Sequence, residues 1–230
     1  KNNRKRYFMA LIELNNINFQ YDDIPSLVDI SLSIEKGESV GLEGDNGSGK
    51  STLIKLLNGL IFASSGTYFF EGKEISKKTM KDELFEKQFH SKIGYVFQNS
   101  ETQLFCGSVK EEIAFGPRQM GLAEDEIEIR CSDVMKLLGL TAIAERAPYH
   151  LSGGEKRKTA LACVISMNPD VLIIDEPMNG LDKKSRVVLL DFLKAWKSAG
   201  KTLIIATHEQ PLLNELVDRV VTITEEHRIG

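Results

Sequence analysis

The sequence predicts an α/β fold: a parallel sheet covered by helices, with an antiparallel β edge layer and an inserted helical subdomain. Three observations carry that reading. Four short aliphatic runs recur along the chain: "ESVGLEG" (Glu38–Gly44), "KIGYVFQ" (Lys92–Gln98), "DVLIIDE" (Asp170–Glu176) and "KTLIIATH" (Lys201–His208). Their near-continuous apolar character suits strands buried on both faces, as in a parallel sheet with helices on each side. Helical patterns lie between the runs, and strands alternating with helices imply an α/β architecture. The stretch from Asn99 to about Ala147 breaks that rhythm. It holds helical patterns such as "EDEIEIRCSDVMKLLGL" and no strand, which marks an insertion.

Taken in order, "LIELNNINFQY" and "GTYFFEGKEI" read as antiparallel strands and supply the edge layer. After the first aliphatic run, Leu53, Ile54, Leu57 and Leu60 share one face of a helix. Val187 to Trp196 reads as another helix, leading into the last run.

At 230 residues the chain suits one large domain, or a core domain with an inserted subdomain. Apolar residues make up 42% and charged residues 27%, a globular balance that excludes disorder. With 29 basic and 33 acidic residues the net charge is −4, which disfavours a nucleic-acid binder. Cys106, Cys131 and Cys163 are too widely spaced for a paired metal pattern and read as free thiols. No apolar run approaches the ~18 residues that span a bilayer. The basic start, Lys1 to Phe8, lacks an apolar signal core and reads as a flexible arm, with the domain beginning at Met9.

Gly44, Gly49, Lys50 and Ser51 satisfy the pattern G-x-x-x-x-G-K-[ST]. Glycines let backbone N–H groups turn towards phosphate oxygens, the lysine reaches the β and γ phosphates, and the hydroxyl ligates Mg²⁺. The loop follows a buried run and precedes an amphipathic helix, the context this motif needs. A P-loop NTPase core follows. Asp175 and Glu176 end the most aliphatic run, at the edge where α/β sheets bind ligands. Asp175 is suited to holding Mg²⁺ through water, and Glu176 to polarising the water that attacks a γ-phosphate. Taken alone, "DEP" is an acidic turn, and a lone Gln98 or His208 says little. With Lys50 and Asp175 they set four polar groups at the carboxyl ends of neighbouring strands.

Ser152-x-x-Glu155 is a capping box, which accounts for both residues structurally. It does not account for Gly153 and Gly154, which weaken a helix start unless something approaches the backbone closely. A helix N-terminus also attracts anions.

This set resembles the ATP-binding cassette (ABC) ATPases over essentially all of Leu11 to Glu226. "GDNGSGKST" is similar to their Walker A loop, "VLIIDEP" to Walker B, "LSGGE" to the signature, "NGLD" to the D-loop, "FQNSETQLF" to the Q-loop region and "ATHE" to the H-loop. The resemblance implies a single nucleotide-binding domain over 9–230, with an ATP-binding core at 9–98 and 160–230 and a helical subdomain at 99–159. It implies that Asn46, Gly47, Gly49, Lys50, Ser51 and Thr52 bind ATP. Mg²⁺ would then lie on Ser51, Gln98 and Asp175, with Glu176, His208 and Gln98 serving hydrolysis. Tyr21 would stack on adenine. Two subunits would pack head to tail, so that Ser152, Gly153 and Gly154 of one grip ATP held by the other, and Asp182 links the sites.

Within the family, "FQNSETQLF" and "VKEEIAFGP" resemble the energy-coupling-factor (ECF) importers of vitamins and transition metals. That implies a transmembrane coupling subunit against the Gln98–Phe105 region, and a place at the cytoplasmic face of the membrane. The competing reading makes Leu104 and Phe105 plain core residues. A conventional ABC importer or exporter, a soluble ABC protein acting on DNA or ribosomes, and a P-loop metabolite kinase are the rival functions. The chain departs from the family pattern at Met178, where Thr is usual, and at Glu155, Lys156, Arg157 and Lys158, where Gln-x-Gln-Arg is common. It also stops soon after "RVVTIT", where many ECF ATPases continue into a dimerisation region. One half of a heterodimer is an expectation from that difference.

Overall fold

The structure, a computed structural model, describes residues 10–230. The basic arm expected at Lys1 to Phe8, and Met9, lie outside the described residues. In chain order the elements are β1 (Ile12–Tyr21), β2 (Ile24–Ile34), β3 (Ser39–Glu43), α1 (Lys50–Leu57), β4 (Ser65–Phe70), β5 (Lys73–Glu74), α2 (Glu83–Lys92) and β6 (Ile93–Val96). They continue with α3 (Val109–Gln119), α4 (Glu124–Leu138), α5 (Gly153–Ser166), β7 (Val171–Asp175), α6 (Lys183–Ser198), β8 (Thr202–Ala206), α7 (Gln210–Leu216) and β9 (Arg219–Thr222).

The four aliphatic runs become β3, β6, β7 and β8 of one parallel sheet, ordered β6-β7-β8-β3-β9. Every residue of β7 and β8 is buried. Alternate side chains feed two separate cores. Leu172, Ile174, Leu203 and Ile205 join the helical side, while Val171, Ile173, Ile204, Val40 and Leu42 face the edge layer. A strand buried on both faces has no polar positions, which is why these runs lack the alternation of a half-exposed strand.

The second sheet is antiparallel, ordered β2-β1-β4-β5. The pairing of β1 with β4 matches the expected edge layer. Strand β2 was not anticipated, although its second half, "ISLSI" (Ile30–Ile34), carries the period-two alternation that marks one. Its buried positions shift phase, from Leu27 to Ile30, Leu32 and Ile34. Bulges cause the shift: Asn16 in β1 and Asp29 in β2 adopt φ of 49° and 54°, and Asn16 Nδ2 donates to Asp29 Oδ1 at 2.7 Å. Strand β9, the "RVVT" of "RVVTIT", was likewise not anticipated as a strand.

Leu60 departs from the expected helix face. Helix α1 ends at Leu57, and Gly59 at φ 66° turns the chain away, leaving Leu60 50% exposed while Leu53, Ile54 and Leu57 are buried. The helix expected at Val187 to Trp196 is longer, the whole of α6.

Helices α3, α4 and α5 form the strand-free region around Val109, Ile113, Ile127, Val134, Leu138 and Leu161. Helix α5 joins this region to the sheet and spans both sides of the expected boundary after 159. Its contact with β6 is close: a Cβ on Gly94 would meet Val164 Cγ1 at 2.4 Å and Pro169 Cγ at 2.7 Å. Cys106, Cys131 and Cys163 are free thiols, and burial pushes the Cys106 thiol up to about 11. Among the described residues no helix is long and apolar enough to cross a membrane.

Gly94→Ala therefore overpacks the seat of α5. It is expected to cost about 1–3 kcal/mol of stability in urea or thermal unfolding. An unchanged midpoint would mean that α5 shifts freely on the sheet.

Candidate functional site

The loop 44–49 leaves β3 and enters α1 between two backbone walls. Gly44 has φ 146°, and a Cβ there would lie 2.3 Å from the carbonyl oxygen of Ile223. Gly49 has φ 113°, with the oxygen of Ser26 equally close. Neither position accepts a side chain. A Cβ on Gly47 would meet open space, on the side where a ligand has access. Lys50 Nζ curls over the loop, donating to the carbonyls of Gly44 at 2.6 Å and Asp45 at 2.8 Å. No side chain caps the start of α1, which suits an anion at that end.

The parallel register brings the other candidates to the same edge. Asp175 pairs with Ala206, so Glu176, Thr207 and His208 follow side by side. Ser51 Oγ donates to Asp175 Oδ2 at 3.4 Å. Burial, then the charge of Glu176, raises the Asp175 carboxyl; the Ser51 bond and the charges of Arg157 and Lys50 oppose this. A dry carboxylate beside a hydroxyl, next to a second carboxylate, is a hard oxygen set that fits Mg²⁺. Glu176 adopts φ 51°. Its Oε2 accepts from Thr207 Oγ1 at 3.1 Å, and His208 Nε2 lies 3.9 Å from its Oε1.

Asn46, Gly47, Gly49, Lys50, Ser51, Thr52, Gln98, Asp175, Glu176 and His208 thus line one cavity of about 280 Å³. The Thr52 hydroxyl is engaged with Ser26 Oγ at 2.7 Å, tying α1 to β2. Tyr21, Ser152, Gly153, Gly154 and Asp182 do not line this cavity. Tyr21 ends β1, half-exposed, with its ring edge-on to Phe19 at 4.9 Å. Ser152 caps α5 in the expected capping box: Ser152 Oγ accepts from Glu155 N at 3.3 Å, and Glu155 Oε2 accepts from Ser152 N at 2.8 Å. A Cβ on Gly154 would press on the carbonyl of Gly180 at 3.1 Å, whereas Gly153 faces open space. Asp182 caps α6, accepting from Ser185 N at 2.8 Å and Ser185 Oγ at 3.1 Å, and these bonds hold its carboxyl below the usual range. Met178 is buried in the core, so that departure is a packing residue.

Three contacts were missed in the sequence. Ser26 lies on the unanticipated β2 and left no signal. His227 Nδ1 meets the carbonyl of Ser48 at 2.9 Å from the other end of the chain. Arg157, buried, lies on the stripe Arg157, Ala160, Leu161, Val164, where a charge among apolar residues at helical spacing was the available clue.

A second depression, about 600 Å³, opens beside the helical region, with Leu84, Tyr95, Gln103, Phe105, Phe115 and Met120 on its walls. Gln103 staples its rim to β6, accepting from Phe97 N at 3.0 Å and donating to the Tyr95 carbonyl at 3.1 Å. Phe105 is 68% exposed and edge-on to Phe115 at 5.0 Å, not a core residue.

A parallel sheet with this loop, acid pair and strand-end polar set defines a P-loop NTPase. The chain belongs to the ABC transporter family: residues 27–179 match the family profile described as ABC transporter. Among its relatives is the nickel import ATP-binding protein LarO of Lactiplantibacillus plantarum, 42% identical over 95% of this chain and 91% of that protein. The energy-coupling factor transporter ATP-binding protein EcfA of Methanothermobacter thermautotrophicus is 37% identical over 96% of this chain and 70% of its own length. Among solved structures, cbiO1 of Clostridium perfringens, part of the ABC transporter complex cbiONQ, superposes with a TM-score of 0.79 at 34% identity, covering 96% and 87% of the two chains. The dimeric post-hydrolysis cassette MJ0796, bound to ADP and Pi, gives 0.83 at 25% identity, covering 95% and 96%. The chain is accordingly an ABC-type ATPase, the ATP-binding subunit of a transporter.

Gly49→Ala puts a methyl group into the Ser26 carbonyl and an L side chain at a strained φ. A penalty of ~1–3 kcal/mol predicts ATP binding weaker by roughly 10–100-fold, read with a fluorescent ATP analogue. Wild-type affinity would show that the loop binds phosphate in another conformation.

Proposed function

We propose that this chain is the ATPase of an ECF-type importer for nickel, another transition-metal ion or a vitamin, and that it works as a pair with a second cassette. One observation carries the pairing: Ser152 and Gly153 stand outside the chain's own cavity, and nothing among the described residues occupies the space at Gly153. Backbone N–H groups at a helix start beside a glycine that leaves space suit a neighbour's phosphate. The dimeric family neighbour bound to ADP and Pi supports that arrangement, and LarO and EcfA support the solute class.

In this reading Tyr21 stacks on adenine, and the loop 44–49 with Lys50 and Thr52 cradles the phosphates. Ser51, Asp175 and Gln98 hold Mg²⁺, which when bound neutralises charge on the β and γ oxygens. Glu176 takes a hydrogen bond from the attacking water and aligns it, while His208 reaches the γ-phosphate. Ser152, Gly153 and Gly154 of the second cassette close over the nucleotide, with Asp182 at the seam. The exposed Phe105, on a segment fixed to β6 by Gln103, supports docking of a transmembrane coupling subunit in the adjoining depression. The chain is then peripheral, at the cytoplasmic face of the membrane. The net charge of −4 gives no support to a nucleic-acid partner.

Two experiments test the two halves of this reading. Glu176→Gln is expected to bind ATP with only slow residual turnover and to form an ATP-dependent dimer by light scattering, alone or with a second cassette chain. A monomer in both conditions would sink the head-to-tail closure. Pull-down of the tagged chain from solubilised membranes is expected to recover a multispan protein. Phe105→Asp should lose that partner at least tenfold and bind ATP normally, since a charge in an apolar contact costs more than about 1.4 kcal/mol. Recovery of ribosomes or DNA instead would overturn the transport reading.

A further inference from the structure

Arg157 lies on α5, two residues past the capping box, and is 5% exposed. A guanidinium removed from water is destabilising unless its N–H donors meet acceptors. Here the acceptors are backbone carbonyls at two strand ends. Nη1 donates to Phe97 and to Gln98, the latter at 3.2 Å, and Nη2 donates to Asp175 at 2.7 Å and Glu176 at 2.8 Å. One side chain therefore bridges the ends of β6 and β7, where Gln98 and the acid pair emerge.

Glu176 is where this bridge matters most. Its φ of 51° is a strained conformation for a residue with a side chain. Its N–H donates to the Ala206 carbonyl at 2.8 Å, and its own carbonyl accepts from Arg157. The residue is held from both sides, by β8 through its N–H and by two donors on its carbonyl. These donors are the Arg157 guanidinium from α5 at 2.8 Å and the N–H of Asn179 at 3.2 Å. The guanidinium makes the shorter bond and is the one that ties Glu176 to another element. Relaxation to a right-handed or extended backbone would break one of these bonds and swing the carboxylate away from Thr207 and the cavity.

We propose that Arg157 is a positioning residue for hydrolysis: its guanidinium fixes Glu176 in the left-handed conformation that presents the carboxylate to the cavity. This rests on the reading that Glu176 aligns the attacking water. A planar fork with five donors suits four carbonyls at two strand ends, whereas a lysine ammonium carries the charge without that geometry.

The test is a kinetic cycle on the ATPase as it purifies, in single and multiple turnover. Arg157→Lys is expected to lower kcat about 10–100-fold, with KM for ATP and the stoichiometry of ATP-analogue binding little changed. The double variant R157K/E176Q is expected to be no more than about twofold slower than E176Q, because the carboxylate that Arg157 positions is already gone. A wild-type kcat in R157K, or a loss that multiplies in full onto E176Q, overturns the proposal. If E176Q itself turns over at the wild-type rate, it is the role of Glu176 that fails, and the two failures are distinguished. Should R157K not fold by circular dichroism, Arg157→Gln, which keeps an amide donor, carries the same comparison. Loss of fold in both would make Arg157 a structural strut and overturn the positioning role.

Discussion

The phosphate loop holds its shape because two distant parts of the chain press on it without leaving room for a side chain. The carbonyl of Ser26, early in β2, closes on Gly49, and the carbonyl of Ile223, just past β9, closes on Gly44. The same ends are tied together away from the loop. Val28 N donates to the His227 carbonyl at 2.9 Å, and Arg228 lies 3.6 Å from Asp29. The Ser48 carbonyl can only accept, so its contact with His227 Nδ1 places a proton on that nitrogen. The antiparallel layer, the last strand and the loop thus form one unit, and the layer that carries Tyr21 also sets the phosphate site.

Opposite that unit, the sheet edge concentrates charge at a cost. The Asp175 carboxyl is raised, first by burial and then by Glu176. A carboxyl whose folded pKa lies above its unfolded value binds its proton more tightly when folded, so stability falls as pH rises through that interval. Above that interval the ionised Asp175 opposes folding, and a cation bound beside it would recover stability by mass action. Glu176 adds backbone strain at the same edge. Buried charge and backbone strain thus meet at one sheet edge, and hydrogen bonds with Arg157, Ala206 and Ser51 brace it.

Much of this was legible because it was local. The aliphatic runs announced strands buried on both faces, and Gly44 to Thr52 announced the loop between one of them and a helix. Ser152 and Glu155 announced their own capping box. Contacts between distant segments left no such trace. Ser26 is an unremarked serine until β2 sets it against Thr52, and His227 is a tail residue until the final turn reaches Ser48. Leu60 looked right by spacing, but Gly59 ended the helix one step earlier. Strand β2 hid because its bulge at Asp29 moves the buried positions from odd to even, so a strict alternation fails across it. Asp182 was assigned on resemblance alone, and its carboxylate turned out to be occupied by Ser185.

The two glycines at the start of α5 now carry different meanings. Gly154 has a reason inside the chain, since the Gly180 carbonyl stands where a side chain would crowd it. Ser152 and Glu155 satisfy each other. Only Gly153 is left without an internal cause: a residue that weakens the helix, facing open space. No contact among the described residues requires that glycine, and the proposed close approach by a phosphate is a reason for it. On the proposed paired reading, the chain would hold one cradle and half of another. Helix α5 runs from that open helix start to Arg157, whose guanidinium bonds the Glu176 carbonyl. If that reading and the proposed role of Arg157 both hold, a nucleotide at Ser152 would contact the helix whose second turn holds Glu176, and one helix would link the two sites of the pair.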